Sequence, residues 1–217
     1  NMKISIIIPN LNDSKGLEET LKSISIQDYK NFECIVIDGL SSDKSVEIIK
    51  QYEFVTKWVS EKDKGIYDAI NKGIKISQGD IINTINSGDK YFSNNSLNII
   101  IDYFKKYEKV DFIFGAVKKD KILFKYEPNK MYRTFNFYPA HSGGFFVKKK
   151  VHDQVGLYSL EFPCSADYDF FWRIINSYNF KGMSTKENEL ISIFKSGGFS
   201  SQYGVYNHIW EETKIRL

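Results

Sequence analysis

The stretch INSGDKYF (residues 85–92) places a group of polar and small residues directly after an apolar run. The group consists of Asn86, Ser87, Gly88 and Asp89. A glycine among polar residues after an apolar run is a turn signal, and turns at strand ends are where many α/β proteins bind ligands. The group therefore indicates a binding site whose chemistry depends on the elements around it.

Two further carboxylates, Asp167 and Asp169, lie at the beginning of the helical pattern SADYDFFWRI. Residues two apart on a helix point about 200° from each other, so only one of the two can face a common site. A carboxylate in a site can act as a general base that accepts a proton from a hydroxyl group. The other is expected to cap the helix or to pair with Arg173, four residues after Asp169.

The first half of the chain alternates strand-like and helical patterns. Strands are predicted at Ile4–Ile8, Phe32–Ile37, Lys57–Ser60 and Ile81–Ile85, and helices at 14–27, 43–52 and 66–77. Because parallel strands need crossover connections, this alternation predicts an α/β fold with a mostly parallel, twisted central sheet and helices on both faces.

Polar segments follow all four predicted strands. They are residues 9–12, 38–41, 61–65 and 86–89. In a parallel sheet these strand ends lie on one edge, where ligands bind. The shared location indicates a polar small-molecule site more strongly than any single motif does.

The second half continues with a helix from Ser96 and strands in DFIFGAV and HSGGFFV. Residues 118–138 are basic and aromatic, with no clear periodicity beyond a possible hairpin, and we interpret them as an excursion from the sheet. The last segment, VYNHIWEETKIRL, is typical of an amphipathic helix. We predict a single compact domain over residues 1–217.

Composition excludes several classes of protein. The 30 basic and 27 acidic side chains leave a formal charge of +3, which gives no general indication of nucleic-acid binding. Cys34 and Cys164 have neither metal-ligand nor disulfide spacing, so a reducing, cytoplasmic location fits best. No apolar run approaches the roughly 20 residues of a membrane span.

In the order and separation of its motifs, the chain resembles family 2 glycosyltransferases with the Rossmann-like GT-A fold, in particular small bacterial enzymes of capsule, O-antigen and colanic-acid assembly. The resemblance covers most of the chain. It is carried by SIIIPNLND, FECIVIDGLSSDKS, EKDKGIYDAINKGIKISQGD, INSGD, HSGGFFVKKKV, SADYDFFWRI and FKSGGFSS. It implies transfer of a sugar from a nucleoside diphosphate donor, usually with inversion at the anomeric carbon and usually with a divalent metal.

The resemblance also implies roles for individual residues. Asp167 matches the catalytic base, and Asp89 matches the ligand of Mn²⁺ or Mg²⁺. Because Asn86 and Gly88 stand where carboxylates are usual, we expect metal to bind weakly without the nucleotide. The residues expected to bind the nucleotide-sugar are Pro9, Asn12, Asp38, Asp63, Lys64, Asn86, Ser87, Gly88 and His141.

The implied partners are a UDP-sugar donor and a saccharide acceptor, with a polyprenyl-diphosphate-linked saccharide as one form, in bacterial surface polysaccharide synthesis. In this interpretation residues 2–117 bind the donor, and residues 118–217 bind the acceptor and carry the base. Lys195 lies in a loop expected to close over the donor phosphates. The basic segments 118–138 and 148–150 are candidates for peripheral contact with anionic lipid.

Other functions stay open at this point. The reduced INSGD motif is compatible with a catalytically silent module that binds nucleotide-sugar or polysaccharide. A nucleotidyltransferase is disfavoured because PNLNDSKG is poor in the glycine and basic residues of a triphosphate loop. A dinucleotide dehydrogenase is disfavoured because no G-x-G-x-x-G follows the first strand.

Overall fold

The helices and strands predicted in the first half are all present, with ends within one or two residues of those expected. The structure, a computed structural model, describes residues 2–119, 122–124, 142–195 and 205–216. The strands are β1 (Ile4–Asn10), β2 (Phe32–Asp38), β3 (Val55–Ser60), β4 (Ile81–Thr84), β5 (Lys90–Tyr91), β6 (Phe112–Phe114), β7 (Ala116–Lys119), β8 (Ile122–Phe124), β9 (Phe145–Lys148), β10 (Gly182–Ser184) and β11 (Leu190–Ile193). The helices are α1 (Ser14–Ser25), α2 (Ser45–Lys50), α3 (Ile66–Ile76), α4 (Ser96–Lys106), α5 (Lys149–Val155), α6 (Ala166–Trp172) and α7 (Val205–Arg216).

The main sheet has seven strands in the order β10-β6-β9-β4-β1-β2-β3. The neighbours β4, β1, β2 and β3 are parallel, whereas β9 runs antiparallel to both β4 and β6. The predicted α/β class is therefore confirmed. The carboxyl ends of β1 to β4 lie on one edge of this sheet, because parallel strands end on the same side.

Strand β1 is buried on both faces, which explains why it contains four isoleucines, Ile4, Ile6, Ile7 and Ile8. Ile7 packs on one face against a cluster that includes Ile70 and Ile74 of α3. Ile6 packs on the other face against a cluster that includes Leu17 of α1. Each of these side chains is at least 96% buried, and full burial of such a side chain is worth about 1.5–3 kcal/mol. The helices on the two faces thereby fix the position of the edge where β1 ends.

The segment DFIFGAV, predicted as one strand, forms two strands that belong to different sheets. β6 lies in the main sheet, and β7 lies in a second sheet of order β5-β11-β7-β8. Gly115 separates them, and a β-carbon there would lie 2.3 Å from a side-chain carbon of Ile191. The chain therefore changes sheet at a point where only glycine fits, and the apolar pattern gives no sign of the change.

Two other segments also differ from the prediction. HSGGFFV was predicted as a strand, but Ser142–Gly144 form a 3₁₀ turn before β9 begins. The lysine run after β9 forms helix α5, which the sequence analysis missed because its apolar residues are few. Helix α7 is present and packs on α6, where Arg216 donates a hydrogen bond to Tyr168. Its apolar residues Tyr206, Ile209 and Trp210 are exposed, so the buried apolar face expected of an amphipathic helix is not formed by them. No helix in the described ranges has the length and apolarity that crossing a membrane requires.

His152 of α5 is a buried histidine whose titration we expect to affect stability. It is 4% exposed, stacks on Phe170 of α6 with ring centroids 4.4 Å apart, and its Nδ1 lies 3.2 Å from the Gly156 carbonyl oxygen. Burial lowers its pKa from 6.5 to about 4, because a proton on the buried Nε2 finds no hydrogen-bond partner among the described residues. The nearby charges are those of Arg173, Lys149 and Asp153.

The expected result is a loss of stability on acidification. As pH falls from 6.5 towards 4 the unfolded chain gains a proton on His152 that the folded protein does not, so the free energy of unfolding decreases by about 3 kcal/mol. Urea unfolding at pH 7, 5.5 and 4.5 measures this loss. In His152→Gln, which does not titrate, the loss should be smaller by that amount. Equal losses in both proteins would contradict the prediction.

Candidate active site

Side chains at the carboxyl ends of β3, β2, β1 and β4 form one hydrogen-bonded row, which we call the rim. Ser60 Oγ donates to Asp38 Oδ2 over 2.7 Å, and Asn10 Nδ2 donates to Asp38 Oδ1 over 2.8 Å. Ser87 Oγ donates to Asn10 Oδ1 over 2.8 Å and to the carbonyl of buried Pro9 over 3.2 Å. The four strand ends are therefore linked to each other as well as adjacent.

Asp38 is fully buried, and both of its carboxylate oxygens accept hydrogen bonds. Ser41 donates its hydroxyl to Oδ1 over 2.5 Å and its backbone N–H to Oδ2 over 2.9 Å, in addition to the bonds from Ser60 and Asn10. Burial by itself raises the pKa of Asp38, but hydrogen bonds from Ser41, Ser60 and Asn10 outweigh burial and hold the pKa below its ordinary value. Asp38 is therefore the enclosed charge that organises the rim, and its predicted contact with the nucleoside stays a prediction.

Asp63 lies over Gly39, the residue after that buried aspartate. A β-carbon at Gly39 would lie 2.5 Å from Asp63 Oδ2, so the missing side chain makes room for the carboxylate. Asp63 Oδ1 accepts the Gly65 N–H over 3.0 Å, which orients the group. Leu11 Cδ1 lies 3.3 Å from the same β-carbon position. An acceptor oxygen beside an apolar side chain suits a planar ring that has an N–H on its edge.

Two residues with left-handed backbone, Asn12 and Leu40, follow the ends of β1 and β2. Their φ angles are 51° and 63°. For a bulky residue such as Leu40 this conformation is strained, and such strain concentrates at functional sites. Asn12 Oδ1 accepts the Ser42 N–H over 2.8 Å, which ties the two loops together. Leu40 is 61% exposed, so the strained turn presents an apolar side chain to solvent beside the rim.

Thr20 of α1 fixes the INSGD turn, although the sequence analysis did not single it out. Its side chain is fully buried, and its Oγ1 donates to the Asp89 carbonyl over 2.7 Å. The Gly88 N–H donates to the same Oγ1 over 3.0 Å. Thr20 belongs to no motif, and only its position on the buried side of an amphipathic helix was available as a signal.

Asp89 lies inside that turn and is 3% exposed. Its Oδ1 accepts the backbone N–H of Lys195 over 2.9 Å. Burial raises the pKa of Asp89 to about 7, against the opposing effects of the backbone N–H groups and the positive charge of Lys195. Asp89 is thus a carboxyl group with a pKa near neutral pH. A cation bound beside it would favour its ionised form.

The oxygen atoms available to a metal ion in this turn are few. Asn86 Oδ1 is buried and has no hydrogen-bond partner among the described residues. In the described ranges no group of three or more His, Cys, Asp or Glu side chains is arranged to hold a metal. Hard divalent cations such as Mg²⁺ often bind through one or two carboxylates together with phosphate oxygens. Asp89 and Asn86 therefore fit a divalent ion that takes most of its ligands from a diphosphate.

Asp167 and Asp169 lie in the first turn of α6 in different environments. Asp167 is partly exposed, and its Oδ1 accepts the Tyr168 N–H over 2.9 Å. Asp169 is buried and pairs with Arg173 at 2.8 Å, which confirms the expected contact four residues apart. Of the two carboxylates, Asp167 is the one that reaches the surface.

Helix α3 connects the loop of Asp63 to the segment that precedes α6. Asn71 Nδ2 donates to the Tyr158 carbonyl over 2.9 Å, and Asn71 Oδ1 accepts the Tyr158 N–H over 3.0 Å. The rings of Tyr67 and Tyr158 lie 5.6 Å apart. Because α3 begins directly after Gly65, one rigid element positions both parts of the site.

The remaining predicted residues have varied positions. Lys64 is exposed, and its backbone N–H donates to Asp68 Oδ2 over 3.0 Å. His141 lies outside the described residues.

Comparison with known proteins adds one relative and two structures. An uncharacterized glycosyltransferase of Mycobacterium tuberculosis is 30% identical over 179 residues, covering 78% of this chain and 68% of the relative. Staphylococcus aureus TarS 1–349 in complex with UDP-GlcNAc superposes with a TM-score of 0.75 at 18% identity, over 94% of this chain and 61% of TarS 1–349. Glucosyl-3-phosphoglycerate synthase of M. tuberculosis, in complex with Mn²⁺, UDP and phosphoglyceric acid, gives 0.73 at 13% identity, over 100% and 78%.

These structural likenesses show the fold, because the identities are low. The family is shown by the sequence itself: residues 5–162 match the family described as Glycosyl transferase family 2. The matched range contains β1 to β4, the rim and Asp89. The chain therefore belongs to glycosyl transferase family 2 and has the GT-A fold.

Proposed function

We propose that this protein transfers a sugar from a UDP-sugar to the hydroxyl group of a saccharide acceptor, with inversion at the anomeric carbon. The observation that carries the proposal is the Asp63 carboxylate held over Gly39 at the edge of the rim, in a chain of this family. The UDP-GlcNAc bound to TarS and the UDP bound to glucosyl-3-phosphoglycerate synthase support the choice of uridine.

In this proposal the nucleoside is positioned by a hydrogen-bond acceptor, the Asp63 carboxylate, and by neighbouring apolar side chains. Uracil has one N–H on its pairing edge, and Asp63 Oδ2 is the acceptor available to it. Leu11, 58% exposed, lies beside this position. Leu40, 61% exposed, follows Gly39 in the chain, and we propose that these two side chains cover the faces of the ring. Burial of these two apolar side chains on binding adds to the affinity.

The diphosphate lies next to the INSGD turn in this proposal. Asp89 and Asn86 Oδ1 would hold a divalent ion there, and the ion, when bound, neutralises charge on the leaving diphosphate. The chain's own part is to fix the turn through Thr20, which holds the Asp89 carbonyl and the Gly88 N–H.

Asp167 acts as the general base in this proposal. Its carboxylate accepts the proton of the acceptor hydroxyl as that oxygen attacks the anomeric carbon from the side opposite the leaving diphosphate. Because the acceptor oxygen displaces the diphosphate in a single step from the opposite side, the configuration at the anomeric carbon is inverted.

The acceptor is proposed to be a lipid-linked saccharide of bacterial surface polysaccharide synthesis, at the cytoplasmic side of the membrane. The two cysteines, Cys34 and Cys164, are buried and free, as a reducing compartment allows. The lysine run 148–150 adds little support for lipid contact, because its side chains already have partners: Lys149 with Asp153 at 2.6 Å, Lys150 with Asp111 at 2.7 Å, and Lys148 with the Glu108 carbonyl at 2.8 Å.

Thermal unfolding with a panel of nucleotides tests the donor. UDP at 100 times its dissociation constant should stabilise the protein by about 2.7 kcal/mol. In Asp63→Asn the retained oxygen still accepts the Gly65 N–H, while an amide N–H₂ replaces the acceptor over Gly39. We expect at least tenfold weaker UDP binding, about 1.4 kcal/mol, and a relative gain for CDP, whose ring nitrogen accepts at that position.

The matched control is Asp68→Asn, since Asp68 accepts a backbone N–H in the same loop without facing Gly39. Its UDP affinity should stay within about twofold of the unmodified protein's. Failure of folded protein to respond to any nucleotide would overturn the proposed function. An unchanged preference for UDP over CDP in Asp63→Asn would remove Asp63 from base recognition.

A further inference from the structure

Lys195, which follows β11, lies across the INSGD turn. A β-carbon at Gly88 would lie 2.5 Å from Lys195 Cδ and 3.3 Å from its Nζ. The backbone N–H of Lys195 donates to Asp89 Oδ1 over 2.9 Å, so the main chain of residue 195 is anchored to the same turn. A long cationic side chain is thus held where Gly88 leaves space.

The turn itself disfavours a carboxylate at Gly88. Its φ is +94°, a conformation that residues with a β-carbon rarely adopt. A side chain there would displace the Lys195 side chain. Backbone geometry therefore disfavours a carboxylate at Gly88 and leaves Asp89 as the carboxylate of the turn.

The ammonium of Lys195 is held only weakly in its present position. Among the described residues its ammonium pairs with Asp13 Oδ2 at 3.4 Å, and the two side chains are 52% and 35% exposed. Ion pairs this exposed contribute about 0–1 kcal/mol. Asp13 has a second role, because its Oδ1 accepts the Gly16 N–H at the beginning of α1 over 3.0 Å. Lys195 can therefore exchange Asp13 for a stronger anion without breaking the helix cap.

We propose that Lys195 binds the diphosphate of the donor and supplies positive charge that a more acidic turn would obtain from a tightly held metal ion. The inference rests on the proposed function. A diphosphate beside Gly88 would lie within reach of the Nζ atom, and ion pairs of ammonium with phosphate oxygens are charge-assisted hydrogen bonds, roughly twice as strong as neutral ones. Its consequence is that UDP binds this chain without added metal.

The test compares UDP with uridine, in EDTA and in Mn²⁺, by isothermal titration calorimetry. Lys195→Met removes the charge at similar length and keeps the backbone N–H that Asp89 accepts. Lys195→Arg keeps the charge. The matched control is Lys90→Met, because Lys90 forms an ion pair of the same length, 3.4 Å with Glu19, and is similarly exposed at 43%.

In EDTA we expect UDP to bind the unmodified protein with a dissociation constant within tenfold of that in Mn²⁺. Lys195→Met should weaken UDP binding in EDTA at least tenfold and leave uridine binding unchanged, while Lys195→Arg and Lys90→Met stay within threefold of the unmodified protein. Metal-dependent UDP binding that is equal in Lys195→Met and the unmodified protein would overturn the inference and leave the proposed function intact. Absence of binding by both uridine and UDP would instead overturn the proposed function, and this inference with it.

Discussion

Replacement of Asp167 by Asn should lower kcat by about 10²–10⁴-fold, the usual contribution of a general base. Asn has nearly the same shape, and its oxygen still accepts the Tyr168 N–H that Asp167 accepts now. The fold and the nucleotide site should therefore be unchanged. Steady-state kinetics measures kcat, with the donor selected from the nucleotide panel and an acceptor selected from a panel of saccharides. Calorimetry with UDP measures nucleotide binding.

Asp169→Asn is the matched control for this experiment. The same substitution two residues later breaks the buried pair with Arg173 and should lower the free energy of unfolding by about 3 kcal/mol. In the protein that remains folded, kcat should change much less than in Asp167→Asn. A folded Asp167→Asn protein with unchanged kcat would show that another group is the base. Donor binding without turnover on a broad acceptor panel would favour the catalytically silent module.

Replacement of Asp38 by Ala should lower the free energy of unfolding by at least about 3 kcal/mol. Asp38 is fully buried, and its removal leaves donors on buried Asn10 and on half-buried Ser41 and Ser60 without their acceptor. A buried donor left without a partner costs about 1–3 kcal/mol. Urea unfolding at pH 7 measures the change. UDP affinity should fall as well, since the rim that Asp38 organises carries the loops of the nucleotide site.

Two comparisons make this prediction specific to the carboxylate. Ser60→Ala removes a single donor and should cost about 1 kcal/mol. The pKa of Asp38 is below its ordinary value of 3.8, so its stabilising charge is fully present above that pH and is lost as pH falls through the lower, folded-state pKa. A loss under 0.5 kcal/mol in Asp38→Ala would mean that the rim forms without its central charge.

Local patterns predicted the elements that position the site. The runs that became β1, β2 and β4 are apolar on both faces, and the polar residues after them mark strand ends. Helix geometry predicted that Asp167 and Asp169 would face different surroundings, and the spacing to Arg173 predicted the ion pair of Asp169. In each case the residues on which the prediction depends lie within about one turn of helix or at one strand end.

Individual contacts between distant segments were not predicted. The donors that enclose the Asp38 carboxylate come from β1, its own loop and β3, so its complete burial could not be inferred from the residues around it in the sequence. Lys195 meets Asp89 across 106 residues of sequence. The change of sheet at Gly115 depends on the side chain of Ile191. The hydrophobic periodicity of either segment alone does not predict which distant segment it contacts.

The double hydrogen bond between Asn71 and Tyr158 limits how this enzyme can be recombined with its relatives. Asn71 belongs to the donor-binding half proposed here, and Tyr158 belongs to the acceptor-binding half. A chimera joined near residue 118 inherits the two partners from different parents. Where the incoming half presents its backbone at residue 158 differently, a buried carboxamide is left unsatisfied, and the two halves lose their common alignment. Exchange of acceptor specificity by splicing therefore requires residue 71 to be transferred together with the second half.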